Sequence, residues 1–81
     1  MKDFSLENIC EFSINTLEFG LKVRQERKNA GLSVCDICQK LLVSEKTVYR
    51  WEAGATLPSL SNLLALSLLL RTSIDYLLKG K

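Results

Sequence analysis

Between Ser44 and Arg50 the chain places six side chains capable of hydrogen bonding within seven positions: Ser44, Glu45, Lys46, Thr47, Tyr49 and Arg50. On a helix, Lys46 and Arg50 are four apart and share a face. Glu45 and Tyr49 also lie on the outward side, while Val48 and Trp51 point inward. Two short helices joined by a tight turn, the second with such a polar outer face, have the geometry that fits a DNA major groove. The hydroxyls of Ser44 and Thr47 can donate to phosphates, and Lys46 and Arg50 can reach base edges, an arginine binding guanine through two hydrogen bonds. Glu45 has two readings of equal weight: an acceptor for the amino group of cytosine, or a charge at a helix N-terminus that favours the helix dipole. A lysine and an arginine at this spacing are elsewhere an ordinary solvated face; their place in the motif is what marks them as base-reading residues.

No other grouping offers chemistry. The chain has no histidine, which removes the commonest general base. No triad, paired-carboxylate cleft, phosphate-binding glycine loop or metal cluster can be assembled, so a non-enzyme without cofactor or metal is expected. The three cysteines, Cys10, Cys35 and Cys38, form no even disulfide framework and read as free thiols. Cys35 and Cys38 make a C-x-x-C within a helix, with no second pair, and the spacing reads as chance: a structural Cys38 and a partly exposed Cys35. Trp51 reads as core and not as a stacking platform. Lys22, Arg24 and Lys28 are surface charges with at most a nonspecific phosphate role, and Arg71 and Lys79 are assigned none.

The elements that would position this face follow from composition and from capping signals. Eighty-one residues, 47% apolar and 25% charged, suffice for one hydrophobic core. A single proline, Pro58, four glycines and abundant leucine favour an all-α fold. A first firm helix is capped by Asn15 or Thr16 and runs to about residue 29, with Phe19, Val23 and Glu26 or Arg27 on one side and Gly31 as the stop. Ser33 caps a second to about residue 41, with Ile37, Cys38 and Leu41 on its buried face, and Leu42 and Val43 form the turn. Ser44 caps a third over residues 45–53, ended by Gly54. Ser59 caps a leucine-rich fourth to about residue 70, which contributes Leu63 and Leu66 to the core, and Ser73 starts a short last helix through about residue 78. Ahead of these, Phe4, Leu6, Ile9, Cys10 and Phe12 have a spacing compatible with an extra short helix over residues 3–14.

Charge is also unevenly distributed along the chain. Through Phe19 there is one basic residue against four acidic ones, and from Gly20 onward there are ten against five. This suggests an acidic, apolar N-terminal extension over residues 1–16 and a basic domain over 17–81. No apolar run could span a bilayer and no signal peptide is evident, so a cytoplasmic protein is expected. The leucine-rich helix carries more apolar residues than one buried stripe needs. Either the N-terminal segment or a second copy must cover the excess; a homodimer is preferred, with Leu64 and Leu68 as its candidates.

Phe19-Gly20, Val23-Arg24 and Arg27, then Gly31-Leu32-Ser33, Val43-Ser44, Val48, Trp51-Glu52, Gly54, Pro58, Leu63, Leu66, Asp75 and Leu77 resemble, in register, the lambda-repressor-like helix-turn-helix family of Cro and phage-repressor (Xre-like) type. The resemblance covers roughly the last three quarters of the chain. It implies a five-helix bundle that inserts the third helix into the major groove of double-stranded DNA, usually as a dimer on a two-fold-symmetric operator. It also implies an ion pair between Arg27 and Glu52. Three positions depart from the family pattern. Val34 stands where a phosphate-holding glutamine is common, and Leu42 where the turn usually has glycine, so it must take a positive φ or a different turn. Cys38 replaces the small alanine at the helix–helix contact. The expected role is a sequence-specific transcriptional regulator, a repressor of bacterial or phage type. The rival is a protein-interaction module that has lost DNA binding and holds a partner through its N-terminal segment or leucine-rich helix; Val34 and Leu42 are the features that favour it.

Overall fold

A computed structural model describes residues 15–79 of the chain. Among the described residues there are five helices and no strand: α1 (Thr16–Asn29), α2 (Val34–Leu41), α3 (Glu45–Glu52), α4 (Leu60–Leu70) and α5 (Ile74–Lys79). The extra short helix expected over 3–14, and all but the last two residues of the N-terminal extension, lie outside the described residues. None of the described helices is long and apolar enough to cross a membrane.

Each boundary is set by a local hydrogen bond. The Asn15 side chain accepts from the Glu18 amide at 3.1 Å, opening α1. Ser33 and Asp36 exchange bonds across the start of α2: the Asp36 amide donates to Ser33 Oγ at 3.0 Å, and the Ser33 amide donates to Asp36 Oδ2 at 2.8 Å. This reciprocal cap satisfies two amides that the helix itself leaves unpaired. The Ser33 amide also holds the Asp36 carboxyl below the usual carboxylate range. Ser44 and Ser59 cap α3 and α4 one way only, each hydroxyl accepting from the amide three residues on, of Thr47 and Asn62.

The core is drawn from all five described helices: Phe19 and Val23, Val34 and Ile37, Val48 and Trp51, Leu63, Leu66 and Leu70, and Leu77. Full burial of a side chain such as Ile37 or Leu66 stabilises the fold by about 1.5–3 kcal/mol relative to exposure. Cys38 and Leu41, expected in the core, are half-buried and pack against its edge. Val34, the first residue of α2, is a core residue, 8% exposed.

Helix α4 sorts its leucines into two stripes. Leu63, Leu66 and Leu70, spaced i, i+3, i+7, face the core, whereas Leu60, Leu64 and Leu68, spaced i, i+4, i+8, are exposed. Ser67 is buried among the first set, and its hydroxyl donates to the Leu64 carbonyl at 2.7 Å. That bond answers a polar group which would otherwise be buried at a cost.

Two features fix α3 relative to the rest. Helix α1 crosses it at Gly20, where an added Cβ would lie 2.4 Å from the Glu52 carbonyl oxygen and 2.6 Å from that of Trp51. Only a residue without a side chain permits that approach. Between α2 and α3, Leu42 adopts φ 59°, ψ 46°, the left-handed conformation, and the amides of Leu42 and Val43 both donate to the Cys38 carbonyl. The chain therefore keeps the tight turn and accepts a strained leucine, a conformation that costs a side-chain-bearing residue about 1–2 kcal/mol.

Candidate nucleic-acid interface

Helix α3 has one buried edge. Val48 is fully buried and Trp51 is 2% exposed, so both anchor the helix and Trp51 has no face free for stacking. On the opposite side Glu45, Lys46, Tyr49 and Arg50 are exposed and Thr47 is half-buried. The four exposed side chains thus share one solvent-facing side of a helix eight residues long.

Behind that surface Arg27 and Glu52 form a two-pronged ion pair. Arg27 Nε donates to Glu52 Oε2 at 2.7 Å and Nη2 donates to Oε1 at 3.2 Å. Nη1 donates to the Leu32 carbonyl at 3.1 Å, which ties the chain after α1 to the same guanidinium. The two side chains keep 12% and 7% of their accessible surface. The bond to Glu52 raises the Arg27 pKa above its ordinary value. A paired and fork-matched arrangement of this kind fixes the orientation of α3 against α1.

At the start of α3 the two hydroxyls are partly committed. Ser44 Oγ accepts from the Thr47 amide at 3.2 Å and lies 2.9 Å from Thr47 Oγ1. One hydroxyl proton is used between them, which leaves one to donate outward to a phosphate. Glu45 is the first residue of α3 and the acid of its first turn, a position compatible with either of its two readings.

Reasoning from sequence missed two contributors to this surface. Ala53 and Ala55 join Glu45, Lys46, Tyr49 and Arg50 around an open depression of about 490 Å³. Their small side chains gave no signal, because nothing in an alanine marks it as part of a binding surface. Arg24, read as a plain surface charge, lines a second depression of about 310 Å³ with Arg27, Tyr49, Glu52 and Ala53.

The cysteines stand apart from this surface. Cys35 and Cys38 are free, and Cys10 lies outside the described residues. Burial, with a smaller contribution from the Glu45 charge, pushes the Cys38 thiol up, away from the thiolate that redox or metal chemistry requires. Among the described residues no group of three or more histidine, cysteine, aspartate or glutamate side chains could hold a metal ion.

Comparison with known proteins shows the family and the fold. The helix-turn-helix family model matches residues 23–77. Repressor protein C2 of Salmonella phage P22 is 39% identical over 67 residues, covering 83% of this chain and 31% of that protein. The transcriptional activator BcrR of Enterococcus faecalis is 31% identical over 65 residues, covering 80% of this chain and 32% of that protein. The chain therefore spans about a third of the length of these curated relatives. The crystal structure of the P22 c2 repressor with a synthetic operator superposes with a TM-score of 0.73 at 38% identity, covering 78% of this chain and 96% of that one.

Proposed function

The chain belongs to the helix-turn-helix family, and on that premise we propose that it is a sequence-specific DNA-binding regulator of transcription, a repressor, which lays α3 in the major groove. The observation that carries this reading is the exposed face of Glu45, Lys46, Tyr49 and Arg50 on a helix clamped from behind by Trp51 and the Arg27–Glu52 pair. Arg50 reads a guanine and Lys46 reaches a base edge or phosphate, while Ser44 and Thr47 hold the backbone at the helix start. Glu45 either accepts from a cytosine or serves the helix dipole. The phage relative is named a repressor and the Enterococcus relative an activator; the higher identity to the former, 39% against 31%, supports repression as the direction of control.

Residues 17–81 form the DNA-binding domain in this reading, with 1–16 an acidic extension. The role is binding without catalysis, in the cytoplasm. The exposed stripe of Leu60, Leu64 and Leu68 on α4 supports a homodimer with an isologous contact, which would set two copies of α3 about one turn of DNA, roughly 34–36 Å, apart. The same stripe is what a protein-interaction module would use. Of the two departures that favoured such a module, Leu42 keeps the tight turn by taking a positive φ, while Val34 packs the core and offers no side-chain group to a phosphate.

A salt titration of binding to genomic and random DNA tests the proposal. Affinity falling steeply with salt, and higher for a subset of genomic fragments, is the expected result, because each neutralised phosphate adds about 0.9 to the log–log slope. Binding that is absent or insensitive to salt would point to the protein-interaction role.

A further inference from the structure

Beside its charged groups, the outer surface of α3 carries an apolar depression that hydrogen-bonding readout leaves without a role. It is open, about 490 Å³, and is bounded by the side chains of Tyr49, Ala53 and Ala55 together with Glu45, Lys46 and Arg50. Tyr49 is 56% exposed. The carbon stems of Lys46 and Arg50 extend the apolar surface while their charged ends remain in water. A fully solvated helix face ordinarily carries charged or polar side chains at such positions.

Resting on the reading of α3 as the groove helix, we infer that this depression receives the C5-methyl group of a thymine next to the base pair that Arg50 reads, which makes Tyr49 a residue that determines specificity. Base edges in the major groove display acceptors, amino donors and a single apolar group, the thymine methyl. Pressing the carbon face of the tyrosine ring and two alanine methyls against purine N7, guanine O6 or a cytosine amino group would remove water from those atoms, and these carbons return no hydrogen bond; only the Tyr49 hydroxyl, at the ring's tip, could. Against a methyl, the same contact removes apolar surface from water on both sides. The depression shares Lys46 and Arg50 with the polar readers, so the methyl lies within one or two base pairs of the contacts they make. Tyr49 and Ala53 also line the neighbouring depression next to Arg24 and Arg27, so the ring stands between the α1 side of the molecule and the groove side.

The test begins with a half-site defined by selection of bound genomic fragments. Each thymine in it is then replaced by deoxyuridine, which removes the methyl and leaves base pairing intact. At one position the dissociation constant should rise about fourfold, the effect of removing one buried methyl. The rise should persist in Tyr49→Phe and vanish in Tyr49→Ala, whose thermal midpoint should match that of the unsubstituted protein because the side chain is outside the core. Sequence-specific binding with no uracil-sensitive position overturns the inference and leaves the regulator reading standing. Equal sensitivity in Tyr49→Ala overturns the assignment to Tyr49. Absence of any sequence-specific binding overturns both readings.

Discussion

The two sides of α3 are built under opposite constraints. On the inner side Val48 and Trp51 are packed into the core, Gly20 of α1 lies against the helix backbone, and Glu52 is held by the Arg27 guanidinium. On the outer side Glu45, Lys46, Tyr49 and Arg50 are exposed. A change on the inner side must move atoms already in contact, whereas a change on the outer side alters only what the surface presents. If the outer face is the recognition surface, stability and recognition fall on opposite faces of one eight-residue helix, and substitutions should separate them.

The largest effect is expected at the crossing of the two helices. Gly20→Val would place a Cβ 2.4 Å from the Glu52 carbonyl oxygen, and neither backbone can yield without parting α1 from α3. The loss should exceed about 4 kcal/mol, seen as disappearance of the cooperative thermal transition; a variant melting like the original would show that the two backbones are not locked together. Next comes the ion pair. Glu52→Ala leaves the part-buried Arg27 without its carboxylate, though still bonded to the Leu32 carbonyl, so stability should fall by about 1–3 kcal/mol. Chemical denaturation would report this as a lower midpoint at unchanged slope.

The inner side was partly legible in the sequence because its signals are local. Asn15, Ser33, Ser44 and Ser59 stand where they cap helices in the structure, since capping needs only a side-chain oxygen within three residues of an amide. The packing of α4 was less legible. With leucine at positions 60, 63, 64, 66, 68, 69 and 70, hydrophobic period alone does not separate the core stripe from the exposed one. Leu70, Leu77 and Val34 were missed as core residues, and Cys38 and Leu41 turned out to be at its margin. Gly20 could be quoted as part of a pattern, but the contact that requires it joins residues more than thirty positions apart, and no local rule reveals such a contact. On the outer side the charged and hydroxyl-bearing residues were legible from helical spacing. The depression was not, because Ala53 and Ala55 contribute shape and no chemistry.

Smaller effects sharpen the comparison from the turn and the caps. Leu42 is 89% exposed and holds a positive φ, so Leu42→Gly removes strain without opening a cavity. A gain of about 0.5–1 kcal/mol is expected, read as a raised denaturation midpoint, and a loss would mean that the leucine side chain supports the turn. The smallest effect depends on pH. The Ser33 amide keeps the Asp36 carboxyl below its ordinary value in the folded chain. Its contribution is therefore fully present above the unfolded carboxylate pKa of about 3.9 and is lost as pH falls through the lower folded value. Asp36→Asn should flatten this part of the acid limb of the stability profile, and identical acid limbs would remove Asp36 from the account.

On the proposed reading, Arg50 on the outer face of α3 reads a base and contributes nothing to holding the fold. It is tested most directly by measuring thermal stability and DNA affinity together for Arg50→Ala, on selected and on scrambled fragments. The account predicts an unchanged midpoint, with discrimination between the two fragments reduced by about 1–3 kcal/mol. An unchanged preference for the selected fragment, at unchanged stability, would contradict it.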